Sequence, residues 1–115
     1  MNVLAQILIV AVAAEHLGFL VLEMFFWTSP VGLKIFNQKA EQAAGSKVLA
    51  GNQGLYNGFL TVFLLWGLLA HKTDVCIVAL LCVIAAGIYG GATVNRKVYL
   101  IQAFPGLVAL LAVFA

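Results

Sequence analysis

The chain has 115 residues, of which 64% are hydrophobic and 9% charged; ordinary globular domains carry about 45–50% and about 25%. Six Lys/Arg stand against four Asp/Glu, a formal net charge of +2. So few charges exclude a soluble enzyme, a nucleic-acid binder and a disordered chain, and they point to an integral membrane protein in contact with the lipid bilayer.

Four apolar runs each approach the roughly 20 residues that a spanning helix needs. They cover about residues 3–26, 49–70, 75–94 and 98–115. Their apolar residues are continuous rather than alternating, which predicts helices and not a barrel. The expected fold is an all-α membrane protein, a single domain over residues 1–115 built as a compact bundle of four transmembrane helices. No Lys or Arg precedes Lys34. The first run thus lacks the basic region of a cleavable signal peptide and is expected to be a retained span.

The connections carry the orientation. Lys34, Lys39 and Lys47 lie in loop one, about residues 27–48. Arg96 and Lys97 lie in loop three, whereas loop two holds only Lys72. The positive-inside bias then predicts a multi-pass protein of the cell (inner) membrane, with loops one and three in the cytoplasm and both termini outside. Within loop one, Ser29-Pro30 predicts a helix start and Gly45 a stop. Val31, Ile35, Leu33 and Phe36 would form its apolar side. A short amphipathic helix on the cytoplasmic surface is expected.

Span one contains Glu15, His16 and Glu23. Each acid costs about 2.5–3.5 kcal/mol at mid-span, against about fourteen Leu, Ile, Val and Phe at roughly −0.3 to −0.6 kcal/mol each. The totals nearly cancel, so this span should depend on partner helices. At about 100° per residue, Glu15, His16, Phe19, Glu23 and Trp27 share one broad face, and Glu23 stands about 12 Å nearer the cytoplasm than Glu15.

The other spans repeat the division. Asn52, Gln53, Tyr56 and Asn57 cluster opposite Gly51, Gly54 and Gly58. Cys82, Tyr89 and Thr93 share a face opposite Gly87 and Gly91. Gln102 lines up with Gly106 and Ala109, and Pro105 is an expected kink. Small residues permit close helix approach, and polar groups in a span seek one another or a wet cavity. Glu23, Asn52, Gln53, Tyr56, Asn57, Tyr89, Thr93 and Gln102 all fall in the cytoplasmic halves of their spans. A polar pocket facing the cytoplasm is expected, with Glu15 and His16 at its floor. The candidate proton- or ligand-binding residues are Glu15, His16, Glu23, Asn52, Gln53, Tyr56, Asn57, Tyr89, Thr93 and Gln102.

No residue is assigned a catalytic role. No cofactor and no metal are expected. Glu15 and His16 are adjacent and point about 100° apart, and Cys76 and Cys82, six residues apart, diverge on their helix. A carboxyl and an imidazole side by side in an apolar surrounding titrate as a coupled pair, which is chemistry that a proton-coupled carrier or a membrane acid–base enzyme needs.

Three stretches together resemble an uncharacterised family of small bacterial integral membrane proteins, known as domain of unknown function 1304. They are Glu15-His16-x-x-Phe19-x-x-x-Glu23-Met24-Phe25-x-Trp27-Thr28-x-Pro30-x-Gly32-x-Lys34-x-Phe36, then Asn52-Gln53-Gly54-x-Tyr56-Asn57-Gly58-Phe59, and Ala86-Gly87-Ile88-Tyr89-Gly90-x-Ala92-Thr93. The resemblance covers nearly the whole chain and implies one four-span domain without supplying an activity. The general plan is also similar to that of small multidrug resistance transporters, through Glu15 alone. His16, Glu23 and the Asn-Gln-Gly stretch depart from that pattern.

Three functions fit the residues. One is a proton-linked carrier or binding protein for a small polar or amphipathic solute, in which a path of only four helices would need a homodimer. A second is a membrane-embedded acid/base enzyme, isomerase-like, acting on a hydrophobic, lipid-like substrate. The third is a structural or accessory subunit whose polar interior fixes helix register.

Overall fold

The computed structural model describes residues 1–115. Six α-helices and one π-helical turn follow one another, with no strand. They are α1 (Val3–Phe25), α2 (Pro30–Ile35), α3 (Ala40–Gly45), α4 (Lys47–Leu69) and α5 (Thr73–Thr93), then the π-helical turn Tyr99–Ala103 leading into α6 (Phe104–Phe114). The all-helical expectation holds, and the long helices begin and end within one or two residues of the expected bounds.

Two helices, α1 and α5, are long and apolar enough to cross a membrane, with mean hydropathy 2.0 and 2.4. Only 22% and 33% of their apolar windows is buried inside the chain. A core helix of a water-soluble globule would be buried over most of its surface. α4 is as long as α1, but Asn52, Gln53 and Asn57 lower its hydropathy. The stretch Tyr99–Phe114 is apolar and shorter.

The chain divides into two compact units, Met1–Ala14 with Leu60–Ala115, and Glu15–Phe59. The first has an aliphatic core of Ile9, Val12, Ala13, Leu64, Cys76, Ala79, Leu80, Val83 and Ala109. Asn2 secures its N-terminal end: its Oδ1 accepts from Ala5 N at 2.7 Å, and its Nδ2 donates to the Ala112 carbonyl at 3.1 Å. Thr61 Oγ1 donates to the Ala13 carbonyl at 2.9 Å inside the core.

Gly87 and Gly91 are the close-packing points of α5. A Cβ on Gly87 would lie 2.5 Å from Ala103 N, and one on Gly91 would lie 2.3 Å from the Tyr99 ring. The expected kink at Pro105 takes a particular form. Pro105 has no N–H to give to Ile101, and its ring crowds that carbonyl. The preceding turn widens, and Phe104 N bonds to Tyr99 O, five residues back. A π-helical turn thus stands in place of a sharp bend.

The Glu15–Phe59 unit contains the loop expected to hold one amphipathic helix. Two short helices are found instead. α2 starts as expected: Ser29 Oγ accepts from Gly32 N at 3.1 Å, and Pro30 occupies the first turn. The break comes at Asn37, whose φ of 50° is left-handed. Asn tolerates that conformation better than other side chains, and it ends the helix there. α3 restarts at Ala40 and reaches Gly45 as predicted.

Gly87→Ala should lower the thermal midpoint of the detergent-solubilised protein, because its methyl group meets Ala103 backbone; overpacking of this kind costs about 1–3 kcal/mol. Gly51→Ala, with open space at its Cβ, should leave the midpoint unchanged or raise it through helix propensity worth up to about 1 kcal/mol. Circular dichroism melts of both variants measure the contrast.

Candidate functional site

Within the Glu15–Phe59 unit, the C-terminal part of α1 and the first half of α4 come close at two glycines. A Cβ on Gly54 would lie 2.7 Å from Met24 Cγ, 3.1 Å from Glu23 Cβ and 3.2 Å from the Leu20 carbonyl oxygen. A Cβ on Gly58 would lie 2.6 Å from Leu20 Cδ1. Asn57 sits three residues after Gly54 and so neighbours it on the same helix side. It is buried, and its Nδ2 donates to Glu23 Oε1 at 2.5 Å. Asn57 therefore belongs with the glycines that face α1, whereas the spacing had grouped it with Asn52, Gln53 and Tyr56. Those three are exposed on this chain, and Asn52 Nδ2 donates to the Val48 carbonyl at 2.9 Å.

Glu15 is partly buried, with an Oε1 that is buried and has no hydrogen-bond partner. His16 is completely buried, and its ring meets the Phe19 ring edge-to-face at 5.3 Å. The unit thus brings Glu23 and Asn57 into direct contact and places a second carboxyl two turns earlier on α1.

The remaining candidates lie in the other unit, where each has a local setting. Gln102 Nε2 donates to the Val83 carbonyl at 3.3 Å. Thr93 Oγ1 donates to the Tyr89 carbonyl at 2.6 Å, and Tyr89 is 72% exposed. An open groove of about 400 Å³ at the end of α5 is lined by Thr93, Asn95, Arg96 and Tyr99 among others. No group of three His, Cys, Asp or Glu side chains is arranged to hold a metal ion.

A family model described as "Protein of unknown function (DUF1304)" matches residues 10–114. The chain belongs to this family. It is 33% identical over 118 residues to the uncharacterized protein YpaA of Lactococcus lactis subsp. lactis (strain IL1403), covering 99% of each chain. No solved structure matches.

In this DUF1304 chain the residues that carried the resemblance have two kinds of setting. Glu23, Gly54, Asn57 and Gly58 form the polar contact just described. Trp27, Pro30, Gly32 and Phe36 build the loop. Trp27 Nε1 donates to Ser46 Oγ at 3.1 Å, and the Trp27 and Phe36 rings lie 4.7 Å apart. A Cβ on Gly32 would lie 2.0 Å from the Phe26 carbonyl oxygen. Sequence reasoning missed Ser46, and gave Trp27 only a place on the broad face that carries Glu15 and Glu23. A lone serine after a glycine carries no periodic signal that points to an indole nineteen residues away.

A carboxyl held by an amide donor on an apolar helix can accept a proton or a cationic or hydrogen-bonding group. A double-mutant cycle with Glu23→Gln and Asn57→Ala should give a coupling of about 0.5–1.5 kcal/mol in unfolding free energy. Strictly additive effects would show that the two side chains do not stabilise each other.

Proposed function

We propose that this DUF1304 protein is a four-span membrane protein that binds or transports a small solute with proton linkage at Glu23 and Glu15. The spans of this reading are α1, α4, α5 and Tyr99–Phe114. Loops one and three face the cytoplasm and both termini lie outside. The contact of Asn57 with Glu23 carries the reading. Acidic side chains in spanning helices are costly and mark ion or substrate paths far more often than they serve packing. Here two of them lie on one helix, and one oxygen of Glu15 is buried without a partner.

Proton linkage follows from the chemistry of that pair. Glu15 needs a proton, a cation or a donor to satisfy its buried oxygen. Glu23 already has one donor in Asn57 and keeps further acceptor capacity for a solute. Exchange of a solute donor for a proton at such a carboxyl couples binding to pH. The reading includes a second copy of the chain. Asn52, Gln53 and Tyr56 on α4, and Tyr89 and Thr93 on α5, are exposed on one copy. Exposed polar groups on spanning helices need headgroups or a partner.

Native mass spectrometry of the detergent-released protein tests the solute. Wild type should carry a co-purifying small molecule, and Glu23→Gln or Glu15→Gln should lose it. Equal occupancy in all three forms, or an empty wild type with an unchanged oligomeric state, would turn the reading toward a structural role. Orientation is tested separately. In a background with Cys76→Ser and Cys82→Ser, an impermeant thiol reagent should label Lys72→Cys in intact cells and Lys39→Cys only after permeabilisation.

A further inference from the structure

We propose that the segment Phe25–Lys47 is a docking surface for the headgroups of anionic phospholipids. This rests on the membrane reading above.

α2 turns two different faces to its surroundings. Gly32 is buried and Leu33 and Phe36 are half-buried on the inner side, where Phe36 packs against Trp27. Val31 and Ile35 take the outer side and are 56% and 55% exposed, with exposed Lys34 beside them. The spacing alone had placed Val31, Ile35, Leu33 and Phe36 on one side. Phe25 and Phe26, just before the loop, are also exposed. A face of aliphatic and aromatic side chains edged by a lysine suits the boundary between headgroups and acyl chains, where lysine stems lie along apolar surface and their ammonium groups reach out.

Charge selects the lipid. Lys34, Lys39 and Lys47 are all exposed, and Glu41 is the one acid between Glu23 and Asp74. Three ammonium groups against one carboxylate favour an anionic surface over a zwitterionic one. An acidic protein would need polar contacts that the bare Val31 and Ile35 face does not offer.

The segment is also fixed in shape. Ser29 caps α2, and its Oγ donates to the Phe26 carbonyl at 2.7 Å. The Trp27–Ser46 bond closes the loop, and Ser46 Oγ donates in turn to the Gln42 carbonyl at 2.9 Å. The three lysines are therefore presented from a set frame, which reduces the ordering cost of binding.

Trp27 lies inside this surface and serves as the reporter. The full chain carrying Trp66→Phe is placed in vesicles of equal parts phosphatidylglycerol and phosphatidylcholine. One lipid or the other is brominated on its acyl chains near the headgroup. Brominated phosphatidylglycerol should quench Trp27 about twofold or more above brominated phosphatidylcholine, since each surface lysine contributes severalfold local enrichment. Lys34→Gln, Lys39→Gln and Lys47→Gln together should equalise the two. If that variant does not fold, about 1 M salt should weaken the preference of the unsubstituted lysines, because screening then acts within about 3 Å. Equal quenching by both lipids with all three lysines present overturns the proposal and leaves this face to another occupant. Absence of quenching by either lipid in wild type, which keeps Trp66, overturns the membrane reading along with it.

Discussion

Two backbones that meet with no side chain between them decide what the Glu15–Phe59 unit can hold. At Gly54 and Gly58 the first half of α4 lies directly against Leu20, Glu23 and Met24 of α1. If α1 and α4 both span the bilayer, as proposed above, no hydrophobic force draws them together there, so packing and hydrogen bonds must do it. The glycines supply the first and make the second available. The short side chain of Asn57 reaches Glu23 only because Gly54, one turn earlier, leaves the helices so close. A larger residue there would move α4 away and leave a partly buried carboxyl without its amide.

The same accounting separates the polar residues by what satisfies them. In the unit formed by Met1–Ala14 and Leu60–Ala115, Asn2, Thr61 and Gln102 each donate a hydrogen bond to a backbone carbonyl. Carbonyl oxygens have a second lone pair beyond the helix bond, so this solution leaves no ionisable group and no unmet demand. Glu23 and Glu15 are different in kind. A carboxylate only accepts, and an apolar helix offers it few donors. The chemistry of the chain accordingly concentrates on α1, and the candidates of α5 and the π-helical turn weigh less.

Much of this was legible in the sequence, in the sense that periodicity shows which residues share a helix side. The long helices, the packing role of Gly54, Gly87 and Gly91, and the isolation of two acids in an apolar run all follow from spacing. What spacing omits is the neighbour. Asn57 stands at the border between the polar and glycine sides of α4, and only the position of α1 decides which it joins. The division of the loop into α2 and α3 depends on one residue, Asn37, taking a left-handed conformation that its identity permits without requiring. The π-helical turn answers both to Pro105 and to the spaces over Gly87 and Gly91 that Ala103 and Tyr99 fill. Each of these is a tertiary choice among conformations that the local sequence leaves open.

The separation of Glu23 from Asn57 has a consequence for biosynthesis. Asn57 comes thirty-four residues after Glu23 along the chain. At about 5–20 residues per second, a ribosome needs roughly 2–7 s to add them. During that interval α1 exists with its acids and without the amide that answers one of them. On the membrane reading proposed above, a helix whose insertion is nearly balanced waits at this stage for its partner. If α4 is the second span, as proposed above, α1 settles when α4 arrives, and the two long helices enter the bilayer as a pair.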